Sequence, residues 1–259
     1  MAETAAITLE GVTKRFGANA PALDDVSLSV VPREFLVVVG ASGSGKTTLL
    51  QLINRLSEPT SGIVRIGGEN ALTLDPVALR RRIGYVFQEV GLFPHMTVAE
   101  NIAITPRLLD WDAPRKAARV DELLELVRLD PGYRTRFPNQ LSGGERQRVG
   151  VARALAAGPD VVLMDEPFAA LDPLTRDGLA QDYRRLHDEL HLTTIMITHD
   201  VLEALGLADR IVVLQRGRVI AQGTPAELMA HEHAYVREMM QTPRRIADRV
   251  GALLAGKER

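Results

Sequence analysis

The feature that most constrains this chain is a glycine-rich segment at residues 40–47, Gly-Ala-Ser-Gly-Ser-Gly-Lys-Thr, directly after the apolar run Phe35–Val39. The segment fits the pattern G-x-x-x-x-G-K-[ST], and the run is typical of a strand buried on both faces. Glycines let successive N–H groups point at phosphate oxygens, and the helix that follows adds its positive dipole end. Lys46 then contacts the β- and γ-phosphates, and the Thr47 hydroxyl ligates magnesium. The residues predicted to bind the nucleotide are Gly40, Ser42, Gly43, Ser44, Gly45, Lys46, Thr47 and Thr48.

An ordinary Gly/Ser turn before a helix is the alternative interpretation of this segment. A chance match is rare, because glycine makes up about 7% of average composition. The chain also contains only four lysines. The pattern therefore predicts a nucleotide site, but it does not distinguish kinases, GTPases and motor ATPases.

Apolar runs and helical patterns alternate along the rest of the chain, which predicts an α/β fold with a mainly parallel sheet covered on both faces. The predicted strands are 7–12, 26–30, 35–39, 83–87, 161–164, 194–198 and 211–214, and the predicted helices are 46–56, 114–127, 142–157 and 173–190. The helix at 114–127 places Ala117, Val120, Leu123, Leu124 and Val127 on one face. Helical patterns dominate from about 90 to 157, which predicts a helical subdomain inserted into one domain, 1–259. A short helical tail is expected at about 225–259.

Composition excludes several kinds of protein. The chain has 31 basic and 33 acidic side chains, and this near-neutral balance argues against a nucleic-acid partner held through phosphates. It has no cysteine, which excludes disulfides, thiolate zinc sites and cysteine nucleophiles. Residues 1–10 lack the pattern of a secretory signal, and the apolar runs are shorter than the roughly 20 residues that span a bilayer.

Two carboxylates, Asp165 and Glu166, follow the apolar run at 161–164. At the end of a strand beside a phosphate loop, Asp165 is predicted to hold magnesium, and Glu166 is predicted to polarise the attacking water. The alternative is an acidic residue that caps the next turn. The presence of a phosphate loop in the same chain favours the catalytic interpretation.

A third motif is Leu-Ser-Gly-Gly-Glu at residues 141–145. One interpretation is a capping box, in which Ser142 caps a helix and Glu145 reaches back. A capping box does not require the two glycines, Gly143 and Gly144, which also allow a phosphate to approach the backbone. A chain of this size has no obvious way to fold both motifs onto one nucleotide. The segment is therefore predicted to bind ATP in trans, on a nucleotide held by a second chain.

With these motifs in place, residues 7 to about 224 strongly resemble the ATP-binding subunit of ABC transporters. The resemblance implies a P-loop ATPase core, an N-terminal antiparallel β subdomain and an inserted α-helical subdomain. It implies that Phe16 stacks on adenine and that Gln88 contacts magnesium and senses the membrane subunit. It also implies that Asp172 lies in a loop crossing the dimer interface, and that His199 binds the γ-phosphate and orients Glu166.

Each of these residues also has a simpler explanation. Phe16 is compatible with a core residue, Gln88 with the end of a strand, and His199 with a helix cap. Their order along the chain is what favours the family. The implied site has catalytic Glu166, His199 and Gln88, and metal ligands Thr47, Gln88 and Asp165, with ATP and Mg²⁺ as cofactors.

The family also implies partners and a location. These are a second ATP-binding subunit forming a homodimer, transmembrane permease subunits, and a solute-binding protein that acts indirectly. The expected location is peripheral, on the cytoplasmic face of the inner membrane.

Several segments resemble one branch of the family. Residues 165–176 resemble prokaryotic importers, and residues 53–62, 91–101 and 137–153 resemble importers of glycine betaine, carnitine and choline. About 35 residues follow Pro225, too few for the long regulatory extension of some members.

An importer of another small solute is one alternative. A soluble ABC-type ATPase acting on ribosomes or DNA is another, although the 92 residues between Thr48 and Leu141 show no sustained heptads. A small-metabolite kinase would leave residues 141–145 unexplained.

Overall fold

The structure, a computed structural model, describes residues 5–255. Within that range the chain forms two β-sheets and ten α-helices. The strands are β1 (Ile7–Lys14), β2 (Leu23–Val30), β3 (Phe35–Val39), β4 (Ser61–Ile66), β5 (Glu69–Asn70), β6 (Ile83–Val86), β7 (Val161–Asp165), β8 (Thr193–Thr198), β9 (Arg210–Gln215) and β10 (Arg218–Gly223). The helices are α1 (Lys46–Ile53), α2 (Pro76–Arg82), α3 (Val98–Ile102), α4 (Ile104–Leu108), α5 (Ala113–Leu126), α6 (Gly143–Leu155), α7 (Pro173–Leu190), α8 (Val201–Leu207), α9 (Pro225–Met229) and α10 (Ala234–Ala255).

The smaller sheet has the order β2-β1-β4-β5 and is antiparallel. The larger sheet has the order β10-β9-β3-β8-β7-β6, with β10 antiparallel to β9 and the other five strands parallel. The predicted α/β fold, with a mainly parallel sheet and an N-terminal antiparallel sheet, is confirmed.

Strand β3 lies at the centre of the molecule, because side chains on its two faces join different apolar cores. Phe35, Val37 and Val39 join the core formed with α3 and α5–α8. Leu36 and Val38 join the core formed with α1 and the antiparallel sheet. Since successive residues of a strand point to opposite faces, a strand that contributes to two cores is apolar at every position.

The register of the parallel strands brings their carboxyl ends into line. Val39 of β3 pairs with Thr198 of β8, and Asp165 of β7 pairs with Ile197 of β8. Val86 of β6 pairs with Met164 of β7. The segments that follow these four strands therefore leave the same edge of the sheet, which is where ligands bind in open α/β sheets.

Some elements differ from their predicted bounds. The helix predicted at 46–56 ends at Ile53, because Asn54 caps it and Arg55 adopts a left-handed φ of 49°. Ala117 is exposed, although the helical pattern placed it on the buried face of α5. The structure has only helices between β6 and β7, and α3, α5 and α6 share a core with β3. The ends of the predicted domain, residues 1–4 and 256–259, lie outside the described residues.

Candidate nucleotide-binding site

The loop between β3 and α1 has the backbone shape of a phosphate cradle. Gly43 and Gly45 have φ values of 76° and 108°, in the region that side-chain-bearing residues rarely adopt. Gly45 is also crowded, because a Cβ there would meet the carbonyl oxygen of Ala22. These glycines are needed for the local fold, and the same geometry leaves N–H groups free to meet an anion.

Lys46 is the buried cation of this loop, with a relative exposure of 6%. Its Nζ donates to the carbonyl oxygens of Gly40 at 2.7 Å and Ala41 at 3.2 Å. The neighbouring Ser44 Oγ is buried and has no hydrogen-bond partner among the described residues. A buried ammonium group and a buried hydroxyl without a partner suit a bound phosphate, whose oxygens accept from both groups.

Asp165 ends β7 and lies close to Lys46. Burial raises the pKa of Asp165, as does the Glu166 charge, while hydrogen bonding to Tyr85, the Lys46 charge and hydrogen bonding to Thr47 lower it. Burial lowers the pKa of Lys46, while the charges of Glu166 and Asp165 raise it. The charges of Lys46, Asp165 and Glu166 therefore influence one another in a partly desolvated space. Such an arrangement is typical of a phosphoryl-transfer site.

Thr47 and Asp165 are adjacent oxygen donors, of the kind that Mg²⁺ prefers. The described residues contain no cluster of three or more acidic, His or Cys side chains that could hold a metal by itself. Such a pair fits a magnesium ion that completes its shell with substrate phosphates and water. Gln88, the third predicted ligand, is exposed just after β6.

Glu166 has a constrained backbone. Its φ of 44° is unusual for a side-chain-bearing residue, and its N–H donates to the carbonyl oxygen of Ile197 at 3.0 Å. Such backbone strain persists only where the surroundings impose it, and it occurs preferentially at functional sites. The strand register and this hydrogen bond fix the position of the Glu166 backbone, from which the carboxylate projects.

His199 follows β8 and meets this carboxylate directly. Its Nδ1 lies 2.8 Å from Oε2 of Glu166. The His199 side chain is largely exposed at 61%, whereas the Glu166 side chain is 19% exposed. The histidine is therefore accessible to an incoming substrate, while most of the Glu166 side chain is buried.

Phe16 lies beyond β1 and is half exposed, so the explanation as a core residue is wrong. Lys14 Nζ lies 4.9 Å from the centroid of its ring. The loop that carries Phe16 returns at Ala22, whose carbonyl oxygen closely approaches Gly45. The exposed ring is thus on a loop that adjoins the phosphate loop, as a base-stacking residue requires.

Residues 142–145 begin helix α6 and form the capping box. The Ser142 Oγ accepts from the Glu145 N–H at 3.3 Å, and Glu145 Oε2 accepts from the Ser142 N–H at 2.6 Å. Tyr133 donates its hydroxyl to Glu145 Oε1 at 2.5 Å, and this bond is the main cause that lowers the pKa of Glu145. The capping interpretation is therefore correct locally, and it leaves the exposed Ser142 at the helix start.

The same helix start packs against the beginning of α7. A Cβ on Gly144 would lie 2.7 Å from Cγ2 of Thr175, and one on Gly143 would lie 3.6 Å from Cδ2 of Leu171. Asp172 caps α7 by accepting from the Thr175 N–H at 3.1 Å. The candidate trans residues thus lie side by side, and no hydrogen bond among the described residues joins 142–145 to the phosphate loop.

Sequence reasoning missed two tyrosines of the site. Tyr85 lies close to Asp165, and burial, followed by the Asp165 charge and hydrogen bonding to Asp165, raises the Tyr85 pKa. Tyr133 binds the capping glutamate. Only the strand register would have placed Tyr85 beside Asp165, and no local signal marked Tyr133.

Known proteins resemble this chain in sequence and in fold. The family model for ABC transporters matches residues 23–169. The chain is 49% identical over 223 residues to the choline transport ATP-binding protein OpuBA of Bacillus subtilis (strain 168), covering 86% of this chain and 58% of that protein. It is 47% identical over 244 residues to the glycine betaine/carnitine/choline transport ATP-binding protein OpuCA of the same strain, covering 94% and 64%. The chain thus spans less than two thirds of these relatives.

A solved structure shares the fold. The dimeric post-hydrolysis state of the ATP-binding cassette MJ0796, bound to ADP and Pi, superposes with a TM-score of 0.76 at 36% identity. The alignment covers 84% of this chain and 98% of that one.

Proposed function

This chain belongs to the ABC transporter family, and we propose that it is the ATP-hydrolysing subunit of an importer that works as a pair of copies. The observation that carries the proposal is the contact between Glu166 and His199, at the sheet edge from which the phosphate loop also leaves. A base paired with an orienting histidine beside a phosphate cradle suits attack of water on a phosphoryl group.

In the proposed reaction, the loop N–H groups and Lys46 bind the β- and γ-phosphates of ATP. The Glu166 carboxylate accepts a hydrogen bond from the attacking water and takes its proton as the new phosphorus–oxygen bond forms. The bond between the γ-phosphorus and the bridging oxygen breaks, so that ADP and phosphate leave. His199 uses Nδ1 to hold Glu166, and in the doubly protonated ring Nε2 also carries a proton that it would donate to a γ-phosphate oxygen.

Thr47, Asp165 and Gln88 would hold Mg²⁺, which when bound neutralises charge on the phosphate oxygens. The raised pKa of Asp165 follows from burial and from the neighbouring Glu166. A cation at this position would lower the pKa of Asp165 again, because it favours the ionised carboxylate.

We place the second copy opposite residues 142–145 and Asp172. In this arrangement each ATP lies between the phosphate loop of one chain and the α6 start of the other, where Ser142 is exposed. The γ-phosphate then contacts both chains. Closure is favoured while ATP is intact, and hydrolysis removes the interactions that favour it.

The membrane partner is assigned to a groove of about 600 Å³ beside this site. Four of its apolar side chains are 40–53% exposed, namely Leu56, Phe87, Phe93 and Leu108. Its charges are mainly cationic, from Arg80, Arg81 and Arg153 against Glu89. An apolar groove with a cationic rim suits an amphipathic helix of a permease.

A matched pair of variants tests this docking. Leu108→Asp places a charge in the groove, whereas Val77→Asp alters a similarly exposed apolar residue outside it. Membrane subunits are expected to co-purify with the Val77→Asp chain but not with the Leu108→Asp chain, with ATP hydrolysis retained by both. Equal recovery of membrane subunits with the two variants would contradict the assigned groove.

The proposed cargo is a quaternary amine such as glycine betaine, choline or carnitine, because the relative OpuBA is named for choline transport and the relative OpuCA for transport of all three solutes. A solute-binding protein would deliver the solute to the permease, and this chain would act from the cytoplasmic face of the membrane. Within residues 5–255, no helix has the length and hydropathy of a membrane span.

The test of the cargo is uptake of radiolabelled glycine betaine and choline in the native cell at high osmolarity. Lys46→Ala should abolish uptake, because the buried ammonium group that binds the phosphates is lost. Unchanged uptake, with no redundant system, would remove the quaternary-amine assignment and leave an importer of another solute. Co-purification with ribosomes or DNA instead of membrane subunits would favour a soluble ABC-type ATPase.

A further inference from the structure

Arg176 joins two loops of the candidate site. It lies in the first turn of α7, and its guanidinium donates to the carbonyl oxygens of Ala169 at 3.3 Å and Leu171 at 3.0 Å. The same group faces the carboxylates of Asp200 at 3.3 Å and Glu203 at 3.9 Å. One side chain therefore hydrogen-bonds two backbone carbonyls and the Asp200 carboxylate. It faces Glu203 as an ion pair without a hydrogen bond, because its Nε has no hydrogen-bond partner among the described residues.

These partners belong to the loops that carry the proposed chemistry. Ala169 and Leu171 lie between Glu166 and Asp172 in the chain, and Asp200 directly follows His199. Through Arg176, the loop that ends at Asp172 is thus linked to the loop that positions His199.

Glu203 extends the link back to β8. Its Oε2 accepts from the Thr198 hydroxyl at 2.8 Å, and its side chain is only 8% exposed. Burial raises the pKa of Glu203, which the bond from Thr198 and the charge of Arg176 offset. A buried acid is costly unless it is paired, so the Arg176 charge is part of what keeps this arrangement in place.

The position of Arg176 is unfavourable for the helix itself. A cation in the first turn opposes the helix dipole, whose positive end lies there. The planar guanidinium can meet carbonyls on one side and carboxylates on the other, which a lysine ammonium cannot do in the same geometry. Helix stability therefore does not explain an arginine at this position, whereas a link between two loops does.

We propose that Arg176 is a positioning residue that couples the Asp172 loop to the Glu166–His199 pair of the same chain. The inference rests on the proposed function, because Asp172 meets a second copy only in the two-chain site. Contact with the second copy sets the position of the loop that ends at Asp172. Because Arg176 binds both this loop and Asp200, a shift of the loop moves Asp200 and the adjacent His199. Closure of the two chains thereby aligns the histidine that holds the base.

The test compares Arg176→Met with Arg184→Met in the full chain. Arg184 is a matched control on the same helix, since it also joins a carbonyl, Leu207, to an acid, Asp209, but away from the site. Arg176→Met should lower kcat by about 10- to 100-fold with little change in KM for ATP, because misplacement of catalytic groups reduces rate more than binding. Arg176→Lys should not restore the rate, and it serves as the second variant should Arg176→Met fail to fold.

A double-mutant cycle tests the coupling itself. If Arg176 acts through the Asp172 loop, Asp172→Ala and Arg176→Met together should lower kcat no further than the slower single variant. Fully additive losses, a normal kcat in Arg176→Met, or an equal loss of kcat in Arg184→Met would overturn the inference. Absence of hydrolysis by the unmodified chain would instead contradict the proposed function on which the inference rests.

Discussion

Nδ1 of His199 lies 2.8 Å from Oε2 of Glu166, across the aligned ends of two neighbouring parallel strands. The contact follows from the strand register, in which Asp165 pairs with Ile197. Glu166 directly follows Asp165, and His199 comes shortly after Ile197. It unites a carboxylate whose backbone is constrained with an exposed imidazole.

Replacement of Glu166 by Gln should separate ATP binding from hydrolysis. The amide keeps the size of the side chain but cannot take a proton, so hydrolysis should fall by about 10²- to 10⁴-fold. ATP binding should persist, and a dimer should accumulate in ATP. Steady-state phosphate release and light scattering measure the two effects, and hydrolysis at the normal rate would remove Glu166 from the proposed role.

Gly45→Ala should damage the phosphate loop more than a comparable glycine substitution elsewhere. Both Gly45 and Gly158 have positive φ, but a Cβ at Gly45 meets the Ala22 carbonyl, whereas one at Gly158 meets nothing within 4 Å. Gly158→Ala should therefore cost only the left-handed strain, about 1–2 kcal/mol of unfolding free energy, and retain ATP affinity. Gly45→Ala should cost more and lose ATP affinity, as measured by denaturant unfolding and nucleotide titration. Equal effects would contradict the close approach.

His187 predicts a pH dependence of stability. Its Nδ1 lies 3.0 Å from Thr194 Oγ1 in the core, and burial, followed by the Arg184 charge, lowers its pKa. The folded chain therefore resists protonation of His187, whereas the unfolded chain accepts the proton near the ordinary value of about 6.5. The contribution to stability is complete above that pH and is lost as pH falls below it.

His187→Gln supplies the comparison, because the amide is polar but does not titrate in this range. Urea unfolding between about pH 7 and pH 5 should show a steeper fall in unfolding free energy for the unmodified chain than for the variant. Parallel curves would show that His187 does not cause the acid sensitivity.

The local signals of the sequence identified the buried elements well. The all-apolar strand Phe35–Val39 and the helix Pro173–Leu190, which begins with proline, have their predicted bounds. Strands β4 and β10 were not predicted, because each mixes exposed polar residues such as Arg65 or Arg218 with few buried positions. Ala117 fitted the helical period but lies in the first, exposed turns of α5, where no neighbouring element covers it.

Motifs identified the candidate site residues, but the contacts between them depend on strand order. Neither the neighbours of β8 nor the register that sets His199 beside Glu166 follows from local periodicity. The same limit applies to Arg176, whose partners Ala169 and Asp200 lie on two different loops. For residues 142–145, the binding of phosphate on a second chain remains a prediction.

A nucleotide site shared between two chains is tested most directly by mixing two defective chains. One chain carries Lys46→Ala and the other Ser142→Arg, both in a Glu166→Gln background that retains ATP. Radiolabelled ATP held by protein after rapid gel filtration is compared for each chain alone and for their equimolar mixture.

In a shared site, a mixed dimer combines both defects in one site and leaves the other site intact. Each chain alone should therefore hold no ATP, and the mixture should hold about a quarter of the amount held by the Glu166→Gln chain, since half of the dimers are mixed and each has one intact site. If the mixture holds no more ATP than the separate chains, the two chains do not share a site and the proposed two-chain arrangement is wrong.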